Sequence, residues 1–263
     1  MPVPEGKLRL GGMALRNGLL VHGPSHWAAA VRTDGGDVKV ASGPKPRVTR
    51  FDAMPGVRGL VRLGEAFAVI PLVKKGLPQA KLPMESPSVI AVAAGASLAG
   101  TVVRRRVRGV TGDAASAMLS VAPALFALRG GELAAYHGVE HKAIGAYEQD
   151  AADARDATKE HDRCGSHLMA PLLAANLAGT LLLRSVVERP SPLAGAAVQL
   201  ASIGAAVEVF AWSERHGETA AARALRLPGH ELQRVIGTRE PTEEQLAVGR
   251  AALAEILRAE AGR

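Results

Sequence analysis

Residues 88–103 read SVIAVAAGASLAGTVV, a run with no Asp, Glu, Lys or Arg. Three more runs share that property: 114–128 (AASAMLSVAPALFAL), 168–183 (LMAPLLAANLAGTLLL) and 190–207 (PSPLAGAAVQLASIGAAV). A helix that is apolar all round is buried, either in a protein core or in a membrane. The first two runs are joined by Arg104-Arg105-Arg106-Val107-Arg108, and the last two by Arg184 to Arg189. The pattern predicts two helical hairpins. A transmembrane helix needs about 20 apolar residues, with a lower limit of about 17. These runs sit at or below that limit and are rich in Ala and Gly, so a soluble bundle competes with membrane insertion. Four such runs, arranged in pairs, are hard to bury in a small soluble domain, which favours the membrane.

Composition agrees. Hydrophobic residues make up 48% of the 263, but aromatics only 3%. A core of Ala, Val and Leu suits closely approaching helices better than sheets. The net charge is +7. Nucleic-acid modules interleave such charge with stacking aromatics, and that interleaving is missing. Nucleic acid is therefore set aside as a partner, and membrane lipid is the expected use of the charge. A single cysteine, Cys164, excludes an intramolecular disulfide and fits a reducing compartment. The opening MPVPEGKLRL lacks the apolar core of a signal peptide.

The expected fold class is mainly α with a small N-terminal β-rich part. Residues 1–56 form that part. Leu19-Leu20-Val21, Trp27 to Val31 and Asp37-Val38-Lys39-Val40 read as strands, with a hairpin turn at Asp34–Gly36. Gly11, Gly12 and Gly18 suggest tight turns, without the spacing of a phosphate loop. Residues 57–87 hold an amphipathic helix over 57–76 and a linker marked by Pro78, Pro83 and Pro87. Residues 88–213 form the helical membrane and metal-site domain. Residues 214–263 form a soluble helical segment, broken at Pro228-Gly229. Thr242 and Gln245 have capping-box spacing, so a helix should start at about 243 and bury Leu246, Leu253, Ile256 and Leu257.

Between the hairpins lies His137-Gly138-Val139-Glu140-His141. On a helix, residues four apart share one face, so two imidazoles can grip one metal ion. Glu140 stands beside them as a candidate general base. The same H-x-x-E-H order marks the inverzincin metallopeptidases. His161 and Cys164 follow as an H-x-x-C, then His167. Imidazole with thiolate suits zinc. Asp162 is placed to orient a ligand imidazole. Arg163 and Lys142 are placed to lower the thiol pKa or bind an anionic substrate. Glu148, seven residues past His141, is too far along the helix for the same ion and reads as structural. His137, His141, His161 and Cys164 together would close a tetrahedron and make the metal structural. Three of them would leave a position for catalysis.

These residues carry a family likeness. Tyr136 to Lys142, Ala146-Tyr147-Glu148 and His161 to Ser166 resemble the DUF1385 family of bacterial proteins. So do Gly11 to Ala14 with His22-Gly23-Pro24, Val57 to Glu65, and Leu227-Pro228-Gly229 through Thr238 to Pro241. Asn17 stands where the family pattern carries an acidic residue. The resemblance implies a metal-dependent, membrane-associated protein and supplies no substrate.

The leading expectation is a membrane-associated zinc-dependent hydrolase at the cell membrane, its divalent metal on the cytoplasmic side, acting on an unknown substrate. The competing expectation is a non-enzymatic, metal-stabilised membrane scaffold or assembly factor with an unknown protein partner. A transporter would need ionisable groups inside the apolar runs, and Glu208 at the edge of the last run is the only candidate.

Overall fold

The N-terminal strands form an antiparallel meander, β1 (Gly11–Leu15), β2 (Gly18–His22), β3 (His26–Arg32) and β4 (Val38–Pro44), paired in that order. The computed structural model describes residues 6–107, 109–129, 131–188 and 190–262. Arg108 and Arg189 of the two basic joins therefore lie outside the described residues. The hairpin turn falls between Arg32 and Val38, as the sequence predicts. Successive side chains along a strand face opposite ways, and both faces of this sheet are covered. Leu19, Val21, Ala28 and Ala30 pack on one side, and Leu15, Leu20, Trp27, Ala29 and Val31 on the other. Gly11 and Gly12 lie in β1 and serve no turn, whereas Gly18 opens β2 and closes the tight turn over Arg16-Asn17 by pairing with Leu15. A Cβ at Gly18 would stand 2.1 Å from the Ala30 carbonyl oxygen, which makes close strand approach the reason for glycine there.

The predicted amphipathic stretch is two helices, α1 (Val57–Ala68) and α2 (Ile70–Gly76). The proline-rich linker is docked on the sheet. Leu77, Ala80 and Leu82 join Val69 and Val73 in the second core. Asn17 staples it: its Nδ2 donates to the Gln79 carbonyl (3.0 Å) and its Oδ1 accepts from Lys81 N (2.9 Å).

Then come α3 (Pro87–Arg106), α4 (Val110–Ser120) and α5 (Ala122–Arg129), α6 (Glu132–Gln149), α7 (Met169–Val186), α8 (Pro192–Arg215), α9 (Ala220–Leu232) and α10 (Glu243–Ala261). The helices run past the charge-free segments into their flanking charges. The resulting stretches, 87–106, 110–129, 165–186 and 192–215, are 20, 20, 22 and 24 residues long and apolar enough to cross a membrane. Only 6–17% of each is buried. Core helices of a soluble bundle would be buried along their length, so this exposure suggests membrane association. Proline at 123 accompanies the break between α4 and α5. α3 packs on α4, α7 on α8 and α4 on α7. An Arg184–Asp113 ion pair of 2.5 Å joins the two hairpins.

Glu208, the candidate for a transport path, is engaged by α1. It accepts from Gly56 N (2.9 Å) and Arg58 Nε (2.8 Å) and so fastens α1 to α8. Pro228-Gly229 does not break the chain: both lie within α9, which continues as a π turn over Gln233–Gly237. A Cβ at Gly229 would stand 2.7 Å from His167 N, so this glycine serves close packing. The last helix starts at Glu243 with the predicted capping box, Gln245 N on Thr242 Oγ1 (3.3 Å) and Thr242 N on Gln245 Oε1 (2.9 Å). α10 buries Leu246, Val248, Ala252 and Ile256, with Leu253 and Leu257 at the rim. Helix α6 packs against β1, β2 and α10. The helix bearing H-x-x-E-H thus shares its core with the sheet and the last helix.

Candidate metal centre

Helix α6 is enclosed on all sides from Leu133 to Ala146, His137 alone being half-buried. Polar residues on it must find partners or be aimed at a ligand. His137 and His141 stack along one face, ring centroids 4.3 Å apart. Each directs Nδ1 at a backbone carbonyl: His137 at Gly237 O (2.7 Å) and His141 at Lys159 O (2.6 Å). A carbonyl only accepts, so both Nδ1 atoms carry the proton and both Nε2 atoms offer a lone pair. This is the outer arrangement that metal-ligating histidines adopt. His141 Nε2 is buried with no hydrogen-bond partner. Burial, with the neighbouring His137 charge second, holds His141 well below the ordinary imidazole range, so the ring is neutral as a ligand must be.

Cys164 completes the cluster from the loop. It precedes the short turn Gly165–Leu168, and its Sγ lies 3.2 Å from His137 Nε2. The donor atoms of His137, His141 and Cys164 all lie within 4.8 Å of one another. Tetrahedral zinc bonds would set such donors roughly 3.3–3.6 Å apart, so small side-chain shifts suffice. Burial, reinforced by the charge of Glu140, pushes the Cys164 thiol up to about 11. Without a cation it stays a thiol. Two tautomer-fixed imidazoles and one buried sulfur fit a borderline-soft ion such as zinc.

Glu140 opens into the same cleft, of about 290 Å³, as His137 and Cys164. Burial, opposed by the charge of His137, pushes its carboxyl up to about 6. A Cβ at Gly12 would lie 2.6 Å from that carboxylate, so β1 carries glycine there because Glu140 occupies the space. Nothing in the spacing of the glycines announces this.

The remaining expected residues are placed elsewhere. His161 does not join the three donors. Its Nδ1 accepts from Arg163 N (3.3 Å), its Nε2 contacts Glu148 Oε2 (3.1 Å), and burial lowers its pKa. Glu148 is structural: it also takes a short ion pair from the buried Arg163. Arg163 therefore neither lowers the thiol pKa nor faces the cleft. Lys142 reaches away from the cluster to the carbonyls of Ala157 (2.7 Å) and Arg155 (3.2 Å). Asp162 lies 3.6 Å from Arg226 and, against the lowering by burial, also raises the pKa of His161 and of His167 by its charge. His167 directs Nδ1 at the Arg226 carbonyl (2.9 Å). The sequence reading missed Gln233, fully buried, which accepts from His161 N (2.8 Å) and donates to Ser166 Oγ (2.8 Å), clamping both sides of the Cys164 turn. It missed Gly138 too, whose Cβ would strike the Arg239 carbonyl at 2.3 Å; that close approach brings Gly237 to His137.

Comparison with known proteins follows the same residues. The family described as "Protein of unknown function (DUF1385)" matches residues 132–259, from the start of α6 into α10. That stretch contains all three donors and Glu140. "Uncharacterized protein YqhQ" of Bacillus subtilis (strain 168) is 29% identical over 136 residues, covering 48% of this chain and 41% of that protein. The match thus spans less than half of the relative's length. No solved structure matches the chain.

Proposed function

We propose that this DUF1385-type, YqhQ-like chain is a membrane-embedded metal-dependent hydrolase whose ion is held by His137, His141 and Cys164. The observation that carries the reading is the orphaned His141 Nε2, aimed with His137 Nε2 at a buried sulfur while both Nδ1 protons are tied to carbonyls. Three protein donors are the count of catalytic sites, and four that of structural ones. His161, the fourth donor the sequence offers, is occupied by Glu148 and Arg163.

A divalent ion held by His137, His141 and Cys164, zinc above all, would supply Lewis acidity and would lower the pKa of water there toward about 7. Glu140, with its carboxyl near 6, is ionised at neutral pH and takes the proton of the attacking water, then returns it to the leaving group. Gly12 leaves the room in which that carboxylate turns. Gly237 and Lys159, through their carbonyls, keep the two imidazoles in register.

The cell membrane is the place of action, and the site faces the cytoplasm. A free thiol ligand suits a reducing compartment, and Lys74, Lys75 and Lys81 flank the near end of α3 in the sense of the positive-inside tendency. Arg104–Arg106 at the far end pull the other way. Reporter fusions after residue 263 and within 106–110 decide the sidedness.

The catalytic part is tested by presenting purified, zinc-loaded chain with ester, amide and phosphoester panels. Glu140→Gln should keep its zinc and lose about 100-fold or more of any turnover. Unchanged turnover in that variant would overturn the general-base role, and no turnover by the zinc-loaded wild type on any panel would leave the metal as a pin for a non-enzymatic scaffold.

A further inference from the structure

The cleft at Glu140 reaches the membrane end of the helices. It is walled by Leu133, by Leu128 of α5 and by Pro83 just ahead of α3. Leu128 belongs to the second candidate span, and Pro83 stands four residues ahead of the first. A second cavity, of about 360 Å³, shares Pro83 and Leu133 with it and extends between the start of α3 and the end of α5, past Val89 and Phe126. The two cavities therefore meet at a common wall. One lies beside the His137–Cys164 cluster, and its neighbour lies between two helices of the first hairpin.

The outer cavity carries two cationic side chains against one carboxylate. Arg16, from the turn between β1 and β2, and Arg129, the last residue of α5, both line it. Neither guanidinium forms an ion pair or hydrogen bond among the described residues. The opposing charges are Glu132 in the lining, which accepts from Gln245 Nε2 (3.3 Å), and Glu85 outside it, whose pKa is lowered first by the Leu82 amide and also by Arg16. Two guanidinium groups beside an apolar slot, at the end of a membrane span, match one kind of molecule. It carries a phosphate-type anion at the level of the lipid headgroups and an apolar chain below it.

We infer that an anionic amphiphile, a phosphate-bearing membrane lipid or lipid-linked compound, enters sideways between α3 and α5, docks its anion on Arg16 and Arg129, and presents its headgroup linkage to the metal cleft. This names the substrate class of the proposed hydrolase and rests on that reading. Shared walls at Pro83 and Leu133 make them the threshold between binding and reaction. A soluble phosphate ester fills only the outer half of this path and forfeits the slot between the helices.

Native mass spectrometry of the full chain, released from neutral detergent with dioleoyl phosphatidylglycerol or dioleoyl phosphatidylcholine, tests the inference. The wild type should retain phosphatidylglycerol at least about tenfold better, since one charge-assisted contact is worth about that factor. Arg16→Gln with Arg129→Gln should lose the preference at unchanged zinc content, and the paired Lys variant should recover part of it. Excess glycerol phosphate should fail to displace the lipid. Equal retention of the two lipids, a preference that survives the double Gln variant, or displacement by glycerol phosphate would overturn the inference. The measurement is made on zinc-loaded and on chelator-treated chain. Zinc bound without lipid preference sinks the lipid path alone, and lipid preference without zinc binding sinks the metal reading.

Discussion

Two imidazole protons decide this site. Had His137 and His141 directed Nε2 at the carbonyls of Gly237 and Lys159, the cluster would be a set of donors with nothing to offer an ion. As arranged, three lone pairs converge, and the cost falls on Cys164 and Glu140, which are buried away from water. Glu140 gives a measurable consequence. Its carboxyl is raised from the model-compound range to about 6, so in the metal-free protein the folded state holds its proton more tightly than the unfolded one. That contribution to stability is fully present below about 4.5 and lost as pH rises through about 6. Metal-free Glu140→Gln should therefore exceed the wild type by about 2 kcal/mol in denaturant titrations at pH 7, with the gap closing by pH 4. A gap independent of pH would contradict the burial of a charge there. For Cys164 the proton must leave before an ion binds. Zinc affinity should rise about tenfold per pH unit between 6 and 8, and isothermal titration in buffers of different ionisation heat should count one released proton. Gly12→Ala should impair the site by displacing Glu140, visible as lost turnover at intact zinc content.

At the scale of elements, the capping box at Thr242 and the turn at Asp34–Gly36 were legible because their signals are local: a side chain and a backbone amide three residues away, or a glycine-rich reversal. Thr242→Ala should cost about 1 kcal/mol, read as a lower unfolding midpoint. The two histidines were legible for the same reason, since four-residue spacing on a helix is local geometry. What stayed hidden depends on distant chain. The glycines of β1 look like turn residues until Glu140 is placed above Gly12. Pro228-Gly229 looks like a stop until His167 is found against the Gly229 backbone. His161 looks like a fourth ligand until Glu148, thirteen residues back on α6, claims it. Arg163 looks like a thiol activator for want of the same knowledge. Gln233 carries no motif, and only the fold shows it bonded across the Cys164 turn.

At the scale of the molecule, the apolar runs undercounted the helices because helices do not end where charge begins. Arg104–Arg106, Arg129 and Arg215 all lie within helical turns, and long basic side chains at such ends reach back to the headgroup level. Helix α6 packs on the sheet and on α5, so the His137–His141–Cys164 cluster sits where the apolar helices and the sheet meet. The chain should remain in the membrane pellet after an alkaline carbonate wash, and its release would contradict the spanning arrangement. Cobalt-substituted chain, analysed for metal content and visible absorption, should hold one ion per chain with tetrahedral d–d bands and a sulfur-to-cobalt charge-transfer band that Cys164→Ser abolishes while His161→Ala leaves it in place. Absence of bound metal, or a spectrum unchanged by Cys164→Ser, would contradict the metal site.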